Sequence, residues 1–119
     1  MKVTIIEYPK CSTCQKAKKW LEQAGITYQA RNIVENNPTA LELKLWLEKS
    51  NLPIQKLFNT SGLLYKSMNL KELLPNMDIE EKIALLSTNG MLVKRPIIVT
   101  DNLVLFGFKE KEWEILKDL

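Results

Sequence analysis

The sequence predicts an α/β fold: a mixed sheet with helices packed on it and a helical insert in the middle of the chain. Three observations predict it. A β-branched run near the N-terminus leads at once into an amphipathic helix and then a second strand. The middle of the chain is rich in leucine but broken by prolines and turn residues. Towards the end, two short apolar runs flank an Asp-Asn pair and precede a last helix.

Val3, Thr4, Ile5 and Ile6 form a β-branched run closed by Pro9, which predicts a buried strand over residues 2–7. Ala17, Trp20, Leu21 and Ala24 recur three and four apart, so residues 12–24 should be helical. Gly25 stands where a residue past a helix end must turn left-handed. Lys16, Lys18, Lys19 and Glu22 fall on the outer face. Residues 26–33 predict a second strand, stopped by Asn36-Asn37-Pro38. Two strands joined by one short helix make a βαβ unit, hence a parallel pair with a right-handed crossover.

Asn37 is the candidate cap of the next helix and Pro38 fits its first turn. Leu41, Leu43, Leu45, Trp46 and Leu47 give it an apolar face, and it should end near Ser50-Asn51, before Pro53. From Pro53 to Pro75 the chain reads as short helices and turns: Leu57 and Phe58 pack, and Asn59-Thr60-Ser61-Gly62 turns. Asp78 with Glu81 three residues on is a capping-box pattern for a helix with Ile79, Ile83 and Leu86 inward, ended by Asn89-Gly90. Residues 96–100 and 103–106 read as an antiparallel pair about the Asp101-Asn102 turn, Gly107 breaks the run, and residues 109–118 close with a helix carrying Trp113 and Leu116. No repeat, linker or low-complexity stretch interrupts the 119 residues, so one domain is expected over residues 1–119.

Composition narrows the functions. The net charge of +3, from 17 basic and 14 acidic residues, is a weak bias. Lys16, Lys18 and Lys19 read as a solvated helix face, and no basic stripe interleaved with aromatics argues for direct nucleic-acid binding. No apolar run approaches the roughly 20 residues of a membrane helix. Residues 1–7 are too short and polar for a signal-peptide core, so a cytoplasmic location without membrane partners is expected. The sequence contains no histidine. That removes Ser-His-Asp and Cys-His mechanisms and every His-ligated metal site. Two cysteines cannot close a four-thiolate zinc site, so no metal and no bound cofactor are expected.

The chemistry concentrates in Tyr8-Pro9-Lys10-Cys11-Ser12-Thr13-Cys14, between the first strand and the first helix. A cysteine at a helix N-terminus meets free N–H groups and the positive dipole end, which favour a thiolate. A second cysteine three residues on is within reach of a mixed disulfide formed on the first. Cys11 is therefore the expected nucleophile and Cys14 the resolving thiol. In a reducing cytosol such a pair suits catalysis or sensing better than a structural crosslink. The N–H groups, with Ser12 and Thr13 hydroxyls and the neighbouring Lys10, can also receive an anion. Lys94-Arg95-Pro96 is the second signal: Arg95 can hold an anion or a surface carboxylate, and Pro96 can start an edge strand or, if cis, present backbone to a substrate. Tyr8 reads as core or as a shield for the thiol, and Trp20, Trp46 and Trp113 as core or half-buried.

Cys11-x-x-Cys14 after Tyr8-Pro9, Arg95-Pro96-Ile97-Ile98 before a hairpin, and Gly107-Phe108-Lys109-Glu110 near the end together resemble the ArsC/Spx family. The resemblance covers essentially the whole chain. It implies a thioredoxin-like (glutaredoxin-like) fold with a helical insert at about residues 38–90. The family includes glutaredoxin-coupled arsenate reductases and Spx-type redox regulators of transcription. In the reductases an N-terminal cysteine attacks arsenate and three arginines hold the oxyanion. Here Cys11 matches the nucleophile and Arg95 the arginine before the proline, with Pro96 beside it. The other two arginines fall at Asn59 and Gly107. An amide and a glycine do not replace guanidinium forks. Each lost charge-assisted contact costs on the order of 1.5–3 kcal/mol, which argues against efficient arsenate reduction.

The resemblance thus implies an arsenate-reductase-like thiol–disulfide oxidoreductase using Cys11 and Cys14. Glutathione, glutaredoxin or thioredoxin is the expected reductant, and a disulfide substrate the expected partner. The alternative is an Spx-type regulator that binds the C-terminal domain of the RNA polymerase α subunit and uses the cysteine pair as a switch.

Overall fold

The computed structural model describes residues 2–119. Four strands, β1 (Thr4–Glu7), β2 (Gln29–Asn32), β3 (Ile97–Val99) and β4 (Val104–Phe106), form one sheet in the order β2-β1-β3-β4. β1 runs parallel to β2 and antiparallel to β3, which pairs antiparallel with β4. The mixed sheet and the order βαβ, helical stretch, ββ, α are those the sequence predicts.

Alternation along the strands divides the interior into two layers. Ile5 and Ile98 stand opposite one another and pack with Val3, Ala17, Leu21, Trp113 and Leu116. Their neighbours Ile6 and Ile97, also paired, face the other way with Val104 and Phe106. That second layer is filled from the insert, by Leu43, Trp46, Leu57, Phe58, Leu70 and Ile83 among others. The first layer is the side of α1 (Ser12–Gln23), the crossover from β1 to β2. Gly25 takes φ +72° just past the end of α1, as expected.

Both N-terminal strands are shorter than predicted. Ile26 N–H still donates to Leu21 O at 2.9 Å, and the Tyr28 hydroxyl donates to Glu22 at 2.7 Å, so residues 26–28 finish the helix end instead of joining the sheet. The Asn32 side chain then accepts the N–H groups of Val34 and Glu35 at 2.8 and 3.0 Å, turning the chain out of β2. Lys18 does not lie free on the outer face of α1. It is half-buried, with Nζ 3.3 Å from Oε1 of Glu7, a carboxylate only 4% exposed at the end of β1.

The insert carries α2 (Ala40–Ser50), α3 (Leu63–Ser67), α4 (Leu70–Leu73) and α5 (Ile79–Leu86), with 3-10 turns between. Thr39, not Asn37, caps α2: its hydroxyl accepts the Glu42 N–H at 3.1 Å while Glu42 accepts the Thr39 N–H at 3.0 Å. The Asn37 amide instead donates to Ser87 O at 2.7 Å, tying the entry of α2 to the end of α5. Leu43 and Trp46 face inward, but Leu41 and Leu45 are exposed, because α2 has one buried stripe and solvent on the remainder. α5 has the predicted capping box of Asp78 and Glu81, with Ile83 and Leu86 inward and Ile79 exposed. At Gly90 any Cβ would collide with the Ile33 carbonyl, so the bare backbone brings the end of the insert against the exit of β2.

The predicted C-terminal helix over 109–118 is a single α turn, α6 (Glu110–Trp113), tightening into a 3-10 turn over Glu114–Asp118. The tighter winding stacks residues three apart, and so brings Trp113 and Leu116 together into the core. The buried Trp113 indole N–H donates to Gly107 O at 3.0 Å.

Candidate functional site

β1 delivers the chain to Tyr8, and a tight turn closes there with Cys11 N–H donating to Tyr8 O at 3.0 Å. Cys11 is then the N-cap residue of α1 (φ −89°, ψ 115°), and its Sγ accepts the Cys14 N–H at 3.3 Å. A sulfur thus does what a serine or aspartate oxygen ordinarily does at this position. The first turn of α1 carries no acidic residue, so nothing there opposes a negative sulfur.

The two thiols, both free, sit in opposed environments. Burial pushes the Cys11 thiol up, but hydrogen bonds from the Cys14 thiol and N–H, together with the Arg95 guanidinium beside it, outweigh burial and bring it below the ordinary thiol value. Cys14 is wholly buried, and burial followed by its hydrogen bond to Cys11 pushes it up to about 12. Cys11 is the partly exposed member of the pair.

Arg95 approaches from the start of β3. Its guanidinium lies over the Tyr8 ring, 5.4 Å from the centroid. Its Nε and Nη1 are buried without a hydrogen-bond partner, so the site holds donors not used inside the protein. The Arg95-Pro96 peptide is cis, and Pro96 is buried. Tyr8, half-buried, therefore serves as a platform for Arg95.

A cavity of about 1050 Å³ opens at Cys11. Cys11, Thr13 and Arg95 line it together with Asn59 from the insert and Gly107 after β4. The two positions at which the family resemblance would place further arginines are therefore both in the cavity wall, as an amide and a glycine. Lys10 and Ser12 are exposed, Cys14 and Pro96 are buried, and none of the four lines the cavity. Sequence reasoning assigned the Asn59-Thr60-Ser61-Gly62 turn no firm role, yet all four residues line the wall. Lys94, named there only as the residue before Arg95 and given no role, also lines the wall, its Cε 3.2 Å from where a Cβ at Gly107 would stand. The only sequence signal for Lys94 was its place before Arg95.

The ArsC family pattern matches residues 6–116. The uncharacterized protein YusI of Bacillus subtilis (strain 168) is 47% identical, over 96% of this chain and 97% of that protein. The regulatory protein MgsR of the same organism is 30% identical, over 92% of this chain and 86% of its own length. The crystal structure of a putative ArsC family related protein from Bacteroides fragilis superposes with a TM-score of 0.95 at 58% identity, covering 98% of each chain.

Proposed function

Since this chain belongs to the ArsC family, whose pattern spans residues 6–116, we propose that it is a thiol–disulfide oxidoreductase working through Cys11 and Cys14. The observation that carries this reading is the contrast between the two sulfurs. Cys11 is partly exposed, caps a helix and is biased towards thiolate; Cys14 is buried, three residues on, and held as a thiol. The Cys11 thiolate attacks a substrate disulfide, forming a Cys11–substrate disulfide and releasing the other substrate sulfur as thiolate. Cys14 then loses its proton, attacks the Cys11 sulfur and releases the second substrate sulfur, which takes up a proton. Two electrons pass to the substrate and the Cys11–Cys14 disulfide remains. Glutathione, glutaredoxin or thioredoxin would return it to the dithiol. Arg95 favours the thiolate, and Thr13 and Pro96 shape its surroundings, while Lys10 and Ser12 flank the approach. We take the whole chain as one domain and the cytoplasm as its location.

Arsenate chemistry is the weaker reading. The cavity offers a single guanidinium, with Asn59 and Gly107 where the resemblance calls for two more. A second reading is a redox-sensing regulator, which the likeness to the regulatory protein MgsR favours; in that reading the chain docks on the C-terminal domain of the RNA polymerase α subunit and the cysteine pair is its switch. The test is the Cys14→Ser variant, which should accumulate a Cys11 mixed disulfide with a disulfide substrate, seen as an added mass on the intact protein that reductant removes. No adduct under conditions that oxidise the wild type would contradict the assigned roles.

A further inference from the structure

We propose that the groove beside Cys11 receives an extended polypeptide segment of a disulfide-bearing protein, with an apolar residue next to the reacting cysteine and carboxylates around it. This rests on the thiol–disulfide reading above and specifies its substrate.

Size is the first argument. At about 1050 Å³ the groove reaches the upper end of small-molecule sites, which run to roughly 1,000 Å³. A tetrahedral oxyanion would occupy a small part of it. The wall runs from the insert to the segment after β4, bringing Leu64 and Phe108 into the same surface as Cys11.

The apolar content is the second. Phe58, Leu63, Leu64, Met91 and Phe108 line the groove. Leu63, at the start of α3, is 86% exposed, more than any other large hydrophobic side chain among the described residues. An apolar surface left open beside a reactive thiol is a binding surface for an apolar side chain.

Charge is the third, and it selects the occupant. Lys56, Lys94, Arg95 and Lys109 face Glu112 as the one carboxylate of the wall. Glu112 is already paired with Lys109 at 3.6 Å. Lys56, Lys94 and Arg95 make no ion pair among the described residues. Lys94 lies along the wall beside Gly107, its Cε 3.2 Å from where a Cβ there would stand. Unpaired positive charge beside open apolar side chains complements an acidic segment with an apolar anchor.

The test uses reduced Cys14→Ser protein and three cysteine peptides of equal length, each activated as a mixed disulfide with 5-thio-2-nitrobenzoate. One carries Glu and Leu beside the cysteine, one Lys and Leu, one Glu and Ser. Glutathione activated in the same way is the small acidic reference. Cys11 bonds to the peptide sulfur, the bond to thionitrobenzoate breaks, and the coloured thiolate released gives the rate. The acidic leucine peptide should react roughly tenfold faster than the other peptides and the glutathione derivative. Its advantage over the Lys peptide should shrink at about 0.5 M salt. Lys56→Glu should remove the preference for Glu over Lys, and Leu63→Glu the preference for Leu over Ser. Equal rates for all four reagents would overturn the groove assignment and leave the dithiol reading standing. No release from any reagent would overturn the dithiol reading itself.

Discussion

The surroundings of Cys11 favour a thiolate through backbone as much as through charge. Its sulfur takes the N–H of Cys14 at the start of a 12-residue helix, and the Arg95 guanidinium adds a positive charge held over Tyr8. Arg95 contributes to the thiolate but is not its only support. Arg95→Ala should therefore raise the Cys11 pKa. Alkylation by iodoacetamide at pH 7 should slow by roughly three- to tenfold, with the midpoint of its pH profile moved upward. Arg95→Lys should fall between the two, since it keeps the charge and loses the fork. An unchanged profile in Arg95→Ala would remove the arginine from the account. At this scale the sequence was informative where chemistry follows local position. Cys11, Cys14 and Arg95 declare themselves by standing at a helix start and before a proline. Lys94 did not, because its place beside Gly107 in the wall is a contact between residues distant in sequence.

Among the elements, β2 and α2 are joined by an arginine the sequence did not single out. Arg31 of β2 grips Glu42 of α2 with two bonds, Nη1 to Oε2 at 2.7 Å and Nη2 to Oε1 at 2.8 Å. It lies over Trp46 and donates to Asn36 O at 2.9 Å. Glu42 also closes the capping box with Thr39. The hydrogen bond from Arg31 leads in holding the Glu42 carboxyl below its usual value, against the opposing effect of burial. A depressed carboxylate stabilises the fold above its unfolded value, and the contribution disappears as pH falls through the folded value. Glu42→Gln should thus cost about 1 kcal/mol at pH 7, limited by solvent screening of a partly exposed pair, and progressively less as pH falls from about 4 to about 2. Urea unfolding of both proteins at these pH values checks this; a cost independent of pH would contradict it. The cap was misplaced from sequence because Asn37 and Thr39 are both competent N-caps. Choosing between them needed the contact of Asn37 with Ser87 on another helix.

For the whole molecule, the order of elements was legible because β1, β3 and β4 are apolar runs and α1, α2 and α5 each have a capping residue at their start. The two-layer division follows from the same alternation, with Ile5 and Ile98 on one side and Ile6 and Ile97 on the other. The last helix was drawn too long because ten residues with Trp113 and Leu116 three apart suit an α-helix and a 3-10 turn equally. The site itself belongs to this scale. β1 and α1 supply the cysteines, the start of β3 supplies Arg95, and the insert and the segment after β4 supply the facing walls. That assembly makes the central claim a statement about a redox couple and not about one residue. The most direct test is titration of the Cys11–Cys14 pair in glutathione buffers, with the Cys11 thiolate pKa read on the same samples. A reversible two-electron couple at roughly −200 to −300 mV and a Cys11 pKa below that of an ordinary thiol are expected. No disulfide at any poise, with an ordinary Cys11 pKa, would contradict the claim.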